Sequence, residues 1–303
     1  AGFFYIPGTE TCLKIGGYIR NDININPGFS GYWNRARFTP TFDARSETEW
    51  GTLRGYAEVE ISANTGPGAA GAPLNLAHAF IEVQGASGTF RIGRTHSPYS
   101  RFLGYGVGPF TNDIGYGFNN TSEVSYTFNG GNGFSGIIAL VENPARVGWG
   151  TNVEGGINFA QGWGSIGAIV GYDPVNGEWG AKGVARFRSG NGFSASLHVF
   201  YASANLPANP NTYRVAGFTP AAIAYQQNWS VAAGVGFQAS PKVAFNAYLQ
   251  WFDAPLRNGA WSVAANVAWT PVTNLLIRPE IRYTANGVGA SAWDGVVRFQ
   301  RSF

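Results

Sequence analysis

Charge is scarce in this sequence of 303 residues. Charged residues make up 12% of the chain, about half of the roughly 25% that is usual for soluble domains. Only three of the twenty cationic residues are lysine, and the formal net charge is +3. So small a charge excludes the basic surface of a nucleic-acid-binding protein. The low charge and low lysine content together argue against an ordinary soluble helical enzyme and against a disordered tail.

Long apolar runs and paired cysteines are also missing. A membrane-spanning helix needs about 20 consecutive apolar residues, whereas the longest candidate here, residues 134–141, is interrupted by Ser135 and Gly136. The one cysteine, Cys12, excludes an internal disulfide; it is either a lone thiol or has lost a partner with upstream residues. Neither an initiator Met nor an apolar leader precedes Ala1, so we expect a processed chain.

A strict alternation of apolar and small or polar residues fills the last hundred residues. Every second position is apolar or aromatic in residues 229–237, 243–251, 261–269 and 275–283. A period of two indicates β-strands with two different faces. A soluble sandwich would crowd Lys and Glu onto the second face, but here that face is mostly Ser, Gly, Ala, Asn and Gln. The pattern therefore favours a transmembrane barrel, which has lipid outside and water inside.

Aromatic residues mark both ends of these apolar rows, as Trp229 with Phe237 and Trp261 with Trp269. Eight residues of tilted strand cover roughly 20 Å, close to the ~25 Å band between the aromatic girdles of such barrels. The same alternation occupies residues 13–25, 35–45 and 52–61. Further strands are predicted to start near Leu74, Thr89, Glu123, Phe134, Asn152, Gly164, Trp179, Phe193 and Ala292. We therefore predict an all-β fold, a transmembrane antiparallel β-barrel of about sixteen strands.

The connections between these strands alternate in length. Short turns such as residues 85–88 and 189–192 alternate with long connections such as residues 64–73, 95–121 and 203–226, as in outer-membrane barrels. No change in composition divides the chain, so residues 1–303 are predicted to form a single domain. A closed sheet of sixteen strands leaves an aqueous channel rather than a packed interior.

Three segments resemble the alphaproteobacterial (rhizobial-type) outer-membrane porins. They are residues 5–20, YIPGTETCLKIGGYIR, residues 88–96, GTFRIGRTH, and the closing strand from Trp293 to Phe303. The resemblance implies a sixteen-stranded trimeric porin of the bacterial outer membrane, whose third loop folds into the lumen. Members of the family often carry a second cysteine upstream of the counterpart of Cys12, and this chain has none there.

The connection of residues 95–121 is the candidate for that constriction loop. Its 27 residues far exceed the usual loop length of about 4–6 residues, and it is rich in glycine, with Pro109 and Phe110 at the expected tip and Asp113 just after it. Folded inward, it would narrow the channel. A loop lying on the outer surface is the alternative.

Arginines with lumen parity on three successive strands are the predicted opposite side of the constriction. The predicted pore-constriction residues are Arg20, Arg35, Arg37, Arg54, Asp113, Glu58 and Glu60. Arginine suits a selectivity site because it stays ionised and its planar head group stacks in rows. The alternative is that these cations only form salt bridges along the wall with Asp22, Asp43, Glu58 and Glu60. On another strand, Lys182, Arg186 and Arg188 also share one parity.

Enzymatic interpretations have little support in the sequence. The chain contains only three histidines, and His198 merely shares a strand face with Ser194 and Ser196. A divalent ion at Glu47 and Glu49 is less favoured than solvated charge. The spacings CxxC, HExxH and the EF-hand loop are absent, so we predict no catalytic residue, no metal and no cofactor.

The leading hypothesis for function is a general diffusion porin that admits small hydrophilic solutes and ions passively. Its expected partners are outer-membrane lipids, further copies of the chain in a homotrimer, and solutes in transit, with no nucleic acid. The alternatives are a substrate-preferring channel of the same architecture, an outer-membrane enzyme or adhesin built on a barrel, and a soluble lectin-like sandwich.

Overall fold

The computed structural model describes residues 2–26, 31–66, 72–111, 120–143, 149–203, 211–213, 228–253, 260–285 and 291–303. These residues form seventeen β-strands and one short helix. The strands are β1 Phe4–Tyr5, β2 Cys12–Asn26, β3 Gly31–Thr48, β4 Gly51–Asn64, β5 Leu74–Gly85, β6 Gly88–His96, β7 Asn120–Gly131, β8 Phe134–Glu142, β9 Thr151–Gln161, β10 Gly164–Asp173, β11 Glu178–Arg188, β12 Phe193–Ala202, β13 Trp229–Ser240, β14 Val243–Phe252, β15 Ala260–Trp269, β16 Leu275–Ala285 and β17 Ser291–Ser302. The helix, α1, is Pro98–Arg101.

Strands β2–β17 close into one antiparallel barrel of sixteen strands. Each pairs with its neighbours in the chain, and β17 returns to β2, with Gly295 opposite Ile25 and Ser302 opposite Tyr18. The two-residue β1 is an addition at the start of β2. The predicted barrel is therefore confirmed. The predicted starts of β5, β6, β8–β12 and β17 agree with the structure to within one residue, whereas β7 begins three residues earlier than predicted, at Asn120.

The burial of the side chains is inverted relative to a soluble protein. On β14, the outward-facing Leu249 is 53% exposed, whereas its inward neighbour Gln250 is 2% exposed. The same contrast recurs on β9, where Ile157 is 55% exposed and Glu154 is 1% exposed. Because closure pairs the strand backbones around the whole sheet, the apolar outer wall can lie against hydrocarbon without unsatisfied peptide groups.

Aromatic side chains form a belt on the outer wall at the end of the barrel that carries the long connections, here named the loop end. Tyr201 lies between Trp179 and Trp229, with ring centroids 4.9 and 4.7 Å away. Tyr283 bridges Trp261 and Trp293 in the same way, at 5.2 and 4.8 Å. Amphipathic rings of this kind are typical of the membrane–water boundary.

The C-terminal residue is fixed at the seam between the first and last barrel strands. The backbone of Phe303 exchanges two hydrogen bonds with that of Gly17, at 3.0 and 3.2 Å, and its ring stacks on Phe38 with centroids 6.4 Å apart. Gly17 has φ +135°. A Cβ atom at this position would lie 2.0 Å from the carbonyl oxygen of Thr39, so the seam requires glycine.

The opposite end of the barrel, here named the turn end, carries short turns, such as those at residues 86–87 and 132–133. Cys12 begins β2 at this end and has a free thiol. Among the described residues, no helix is long and apolar enough to span a bilayer.

Candidate pore constriction

The connection between β6 and β7, here named the third loop, comprises residues 97–119, because both strands extend into the predicted range of 95–121. Its first element is α1, which begins with Pro98, a residue suited to the first helical position. The backbone N–H of Tyr99 donates to a carboxylate oxygen of Glu154 on β9, at 2.6 Å. Tyr99 and Glu154 are each 1% exposed. This contact places the start of the loop inside the barrel.

The following residues run along the inner wall. The carbonyl of Gly106 accepts a hydrogen bond from Arg186 on β11 (3.1 Å), and the carbonyl of Val107 accepts one from the Ser196 hydroxyl on β12 (2.6 Å). Farther on, the carbonyl of Pro109 accepts one from the Asn266 amide on β15 (3.0 Å). Backbone carbonyls of the loop thus bond in turn to side chains of β11, β12 and β15.

The loop tip is held at β14 and β16. The ring of Phe110 packs edge-on against Tyr248, with centroids 4.5 Å apart. The N–H of Thr111 donates to both carboxylate oxygens of Glu280, at 3.0 and 2.9 Å, and Arg278 donates to the Thr111 hydroxyl at 3.0 Å. The predicted inward course of the loop is confirmed for residues 97–111. Asp113 lies outside the described residues, as do Gly115 and Gly117.

Arginines line the side of the lumen away from the loop. We name this side the arginine wall; its members come from β17, β2, β3, β4 and β6 and are Arg298, Arg20, Arg35, Arg37, Arg45, Arg54 and Arg91. Its first cluster is centred on Asp22, which is fully buried. Arg298 donates two hydrogen bonds to the Asp22 carboxylate, at 2.7 and 3.0 Å, and Arg35 donates from the other side at 2.5 Å. One carboxylate therefore holds two guanidinium groups, one on each neighbouring strand.

A second cluster extends from β3 to β6. Arg54 donates to Asp43 at 2.9 and 3.0 Å and to Glu82 at 2.8 Å. Glu82 also pairs with Arg91 on β6, at 2.8 Å. Arg45 completes this network of ion pairs by donating two hydrogen bonds to Asp43, both 2.9 Å. Arg54 lies near the start of β4, toward the turn end, rather than at the centre of its strand.

Three other predicted residues, Arg37, Glu58 and Glu60, lie on the same wall farther from the turn end. Arg37 forms a salt bridge with Glu60 and donates to the Ser62 hydroxyl at 2.8 Å. The carboxylate of Glu58 accepts a hydrogen bond from the Tyr56 hydroxyl, at 2.9 Å. Carboxylates are therefore placed directly among the predicted cations.

Arg20 differs from the other predicted arginines. Its register position on β2 is directly opposite Arg37 on β3. It donates to the side-chain carbonyl of Gln300 and lies over the ring of Tyr18. Among the described residues, no carboxylate lies within salt-bridge distance of Arg20.

Sequence reasoning missed several members of this site. Arg298, Glu82 and Arg91 all have lumen parity on their strands and were therefore detectable as lumen residues. Their pairing depends on strand register, which alternation does not give. Glu154 shares a parity with Asn152 and Asn158, but nothing in the sequence indicates that it binds the third loop.

A second segment from a long connection also enters the lumen. Tyr213, in the connection between β12 and β13, donates from its hydroxyl to Glu154 at 3.1 Å and packs against the ring of Tyr99, with centroids 4.9 Å apart. A Cβ atom at Gly171 would lie 2.3 Å from the Tyr213 ring, so glycine leaves the space that this ring occupies. Two connections therefore meet over one buried carboxylate.

Within the described ranges, no three His, Cys, Asp or Glu side chains are grouped as ligands for a metal ion. The lumen is polar and charged, and the third loop narrows it on one side.

The family model described as "Porin subfamily" matches residues 1–298. The chain belongs to this porin subfamily. It is a β-barrel of the bacterial outer membrane. The porin Omp2a of Brucella suis is 35% identical over all of this chain and 88% of its own length. The porin Omp2b of Brucella abortus is 36% identical with the same coverage. These relatives agree with the alphaproteobacterial resemblance of the three sequence segments.

Solved structures share the porin fold at low sequence identity. The outer-membrane channel DcaP of Acinetobacter baumannii superposes with a TM-score of 0.73 at 14% identity, covering 99% of both chains. An anion-selective porin from Comamonas acidovorans gives 0.73 at 12% identity, covering 97% of this porin and 100% of that chain. The trimer form of Vibrio cholerae OmpT gives 0.71 at 11% identity, with the same coverage.

Proposed function

We propose that this porin is a general diffusion channel, which lets small hydrophilic solutes and ions cross the outer membrane passively. The observation that carries the proposal is the course of the third loop. Residues 106–111 lie against β11–β16, so the loop narrows the lumen from one side and leaves the arginine wall facing the passage. A channel of this kind acts without catalysis, which agrees with the porin names of its relatives.

We further propose that the constriction is formed by Arg20, Arg35, Arg37 and Arg54 with Glu58, Glu60 and Asp113. Positive charge on one wall and the loop on the other would set up a field across the pore, which orients dipolar solutes. Most of the arginines pair with carboxylates, so their charge is largely balanced locally. We therefore expect weak rather than strong ion selectivity.

The loop can be tested by deleting residues 102–116 and measuring single-channel conductance in a planar lipid bilayer. We expect larger current steps and faster uptake of larger sugars into liposomes, because the lumen loses the obstruction on one side. Heat-modifiable migration in gel electrophoresis shows whether the deletion variant still forms a barrel. A correctly folded variant with the parental conductance would contradict the proposal.

We propose that the chain forms a single barrel domain and assembles as a homotrimer in outer-membrane lipid. The small outward-facing residues Gly17, Ala36 and Ala57 on β2–β4 would allow neighbouring barrels to approach closely. Light scattering on protein in mild detergent measures the mass of the protein in the complex. We expect the mass of three chains. The variant Ala36→Trp should lower that mass by crowding the contact, whereas Ala185→Trp on β11, away from β2–β4, should not. A parental mass of one chain would reject the trimer.

A further inference from the structure

Aromatic side chains form a continuous series on the lumen side of β4, β5 and β6, and the series continues into the third loop. We name it the aromatic track; its members, in order, are Phe80, Tyr56, His78, His96 and Tyr105. The centroids of successive rings are 5.2, 6.1, 4.7 and 5.1 Å apart. The track therefore leads along the wall to the loop that narrows the lumen. None of its members belongs to the proposed constriction.

These rings belong to the lumen face of the strands. Tyr56 shares its strand face with Arg54 on β4, and His78 shares one with Glu82 on β5. Both charged neighbours belong to the ion-pair network that lines the lumen. Tyr105 is 48% exposed, and Tyr56 and the two histidines are half-buried. These rings are therefore accessible to a solute in the channel.

Cations close one end of the track. Phe80 is 8% exposed, and the guanidinium carbons of Arg91 and Arg54 lie 4.3 and 5.5 Å from the centroid of its ring. Arg54 also lies 4.7 Å from the centroid of the Tyr56 ring. The accessible part of the track therefore begins at Tyr56 and ends at Tyr105.

Hydrogen bonds hold the accessible rings in place. Nδ1 of His78 lies 2.9 Å from the hydroxyl oxygen of Thr95. Nδ1 of His96 lies 2.9 Å from the hydroxyl oxygen of Tyr105. From Tyr56 to Tyr105, successive rings are tilted by 55°, 69° and 83°, so the track presents ring faces and ring edges in turn. Rings that are fixed before a solute arrives lose little conformational entropy on binding.

Charges of both signs border the track. Glu58 lies directly opposite His78 in the register of β4 and β5, and its carboxylate accepts a hydrogen bond from the Tyr56 hydroxyl at 2.9 Å. A carboxylate has two acceptor oxygens, so Glu58 can also accept hydrogen bonds from a solute. An anion would be repelled beside Glu58, and a cation would be repelled by Arg54 and Arg91. The track therefore favours an uncharged solute.

We propose that the aromatic track binds uncharged sugars of the pyranose type as they pass through the channel. The proposal deepens the proposed function and rests on it, since a sugar reaches the track through the lumen. One face of a pyranose ring presents C–H groups that pack against an aromatic ring, and the hydroxyls at its rim need hydrogen-bonding partners such as Glu58. Several adjacent rings bind weakly at several positions, which lets a solute both enter and leave.

The test measures sugar binding without requiring ion flow. Purified porin in detergent is titrated with maltotriose, and saturation-transfer-difference NMR detects sugar protons in contact with the protein for the parent, Tyr105→Leu, Tyr105→Phe and Tyr18→Leu. Tyr105 lies on the third loop, outside the barrel strands, so its substitution leaves the barrel intact. Tyr18 is the matched control, because it is a half-buried lumen-facing tyrosine on β2 that lies beside Arg20 and outside the track.

We expect saturable transfer in the parent and about fivefold weaker binding in Tyr105→Leu, since contact with one ring is lost. The variant Tyr105→Phe keeps the ring and should retain most of the binding, and Tyr18→Leu should bind as the parent does. Equal binding by the parent and Tyr105→Leu, or an equal loss in Tyr18→Leu, would overturn the proposal, because the sugar would then bind elsewhere or respond to the loss of any lumen ring.

Bilayer recordings separate the two hypotheses. Maltotriose should reduce the potassium chloride current of the parent saturably, and that of Tyr105→Leu only at higher concentration. A protein that conducts potassium chloride but shows no saturable transfer to maltotriose rejects the track alone. One that forms no channel rejects the proposed function even if the sugar binds in detergent.

Discussion

The guanidinium of Arg20 is hydrogen-bonded to Gln300 across the seam of the barrel, with Nε and Oε1 3.0 Å apart. On its own strand it lies 4.3 Å from the centroid of the Tyr18 ring. Both partners are uncharged. Among the predicted constriction arginines in the described part of the chain, Arg35, Arg37 and Arg54 each have a carboxylate partner and Arg20 has none. Its positive charge is therefore the one least balanced by an adjacent group.

Replacing Arg20 with Gln should shift permeability toward cations. The substitution removes a positive charge that has no adjacent carboxylate, while the amide keeps the lumen polar. At about 0.1 M salt the Debye length is about 10 Å, so the change is felt locally and should be largest in dilute salt. The reversal potential across a potassium chloride gradient measures this shift directly.

The matched control is the double variant Arg37→Gln with Glu60→Gln, which removes a salt bridge and leaves the net charge unchanged. We expect its reversal potential to stay close to that of the parent. If Arg20→Gln left the potential unchanged, or if the double variant moved it as far, unbalanced charge at Arg20 would not govern selectivity.

Replacing Glu82 with Gln should destabilise the barrel and shift permeability toward anions. Glu82 is 1% exposed and joins Arg54 to Arg91, so its neutralisation leaves two neighbouring guanidinium groups without their shared partner. Breaking a buried ion pair costs about 3 kcal/mol or more. We expect a lower urea midpoint of unfolding, measured by tryptophan fluorescence, and a reversal potential displaced toward anions.

A suitable control is Glu47→Gln near the turn after β3, where Glu47 is exposed and accepts hydrogen bonds from Thr52. Its unfolding midpoint should match that of the parent. An equal midpoint for Glu82→Gln would mean that this ion-pair chain contributes little to stability.

The sequence predicted the barrel well because its physical cause is repeated on every strand. Alternation decides which face of a strand meets lipid, and it correctly placed Arg20, Arg37 and Arg54 in the lumen. Alternation does not determine which residues of different strands lie at the same level along the barrel axis. Asp22 and Arg298 are 276 residues apart, and they meet only because the last strand closes on the first with a particular register.

The loop contacts were less predictable for a different reason. Length and glycine content indicated that the third loop has a role, and the family resemblance implied its inward course. Its anchors are contacts between irregular backbone and strand side chains, such as the Tyr99 N–H with Glu154. Contacts of this kind have no sequence period, so neither Glu154 nor Tyr213 could be assigned from the pattern.

Replacing Glu154 with Ala should loosen the third loop. The carboxylate accepts hydrogen bonds from the Tyr99 N–H at 2.6 Å and from the Tyr213 hydroxyl at 3.1 Å, and alanine leaves both donors buried without a partner. An unsatisfied buried donor costs about 1–3 kcal/mol. We expect rapid current fluctuations between two or more levels in single-channel records, with little change in the unfolding midpoint of the barrel.

Glu154→Gln separates the anchoring role from a general effect of substitution, because its side-chain carbonyl still accepts the hydrogen bond from Tyr99. Its current should be quieter than that of Glu154→Ala. Parental, steady current in the alanine variant would show that the loop is held by its other contacts.

Replacing Gly17 with Ala should impair closure of the barrel. At φ +135° a residue with a side chain is strained, which costs roughly 1–3 kcal/mol, and the added Cβ atom would lie 2.0 Å from the Thr39 carbonyl oxygen. The strain falls at the position whose backbone pairs with Phe303, so the last strand should dock less stably on the first.

Gly55→Ala is the control, since a Cβ atom there meets nothing within 4 Å. Heat-modifiable gel migration after refolding should show a reduced fraction of closed barrel and a lower melting temperature for Gly17→Ala, with parental values for Gly55→Ala. Equal folding of both variants would mean that the backbone at Gly17 relaxes without opening the seam.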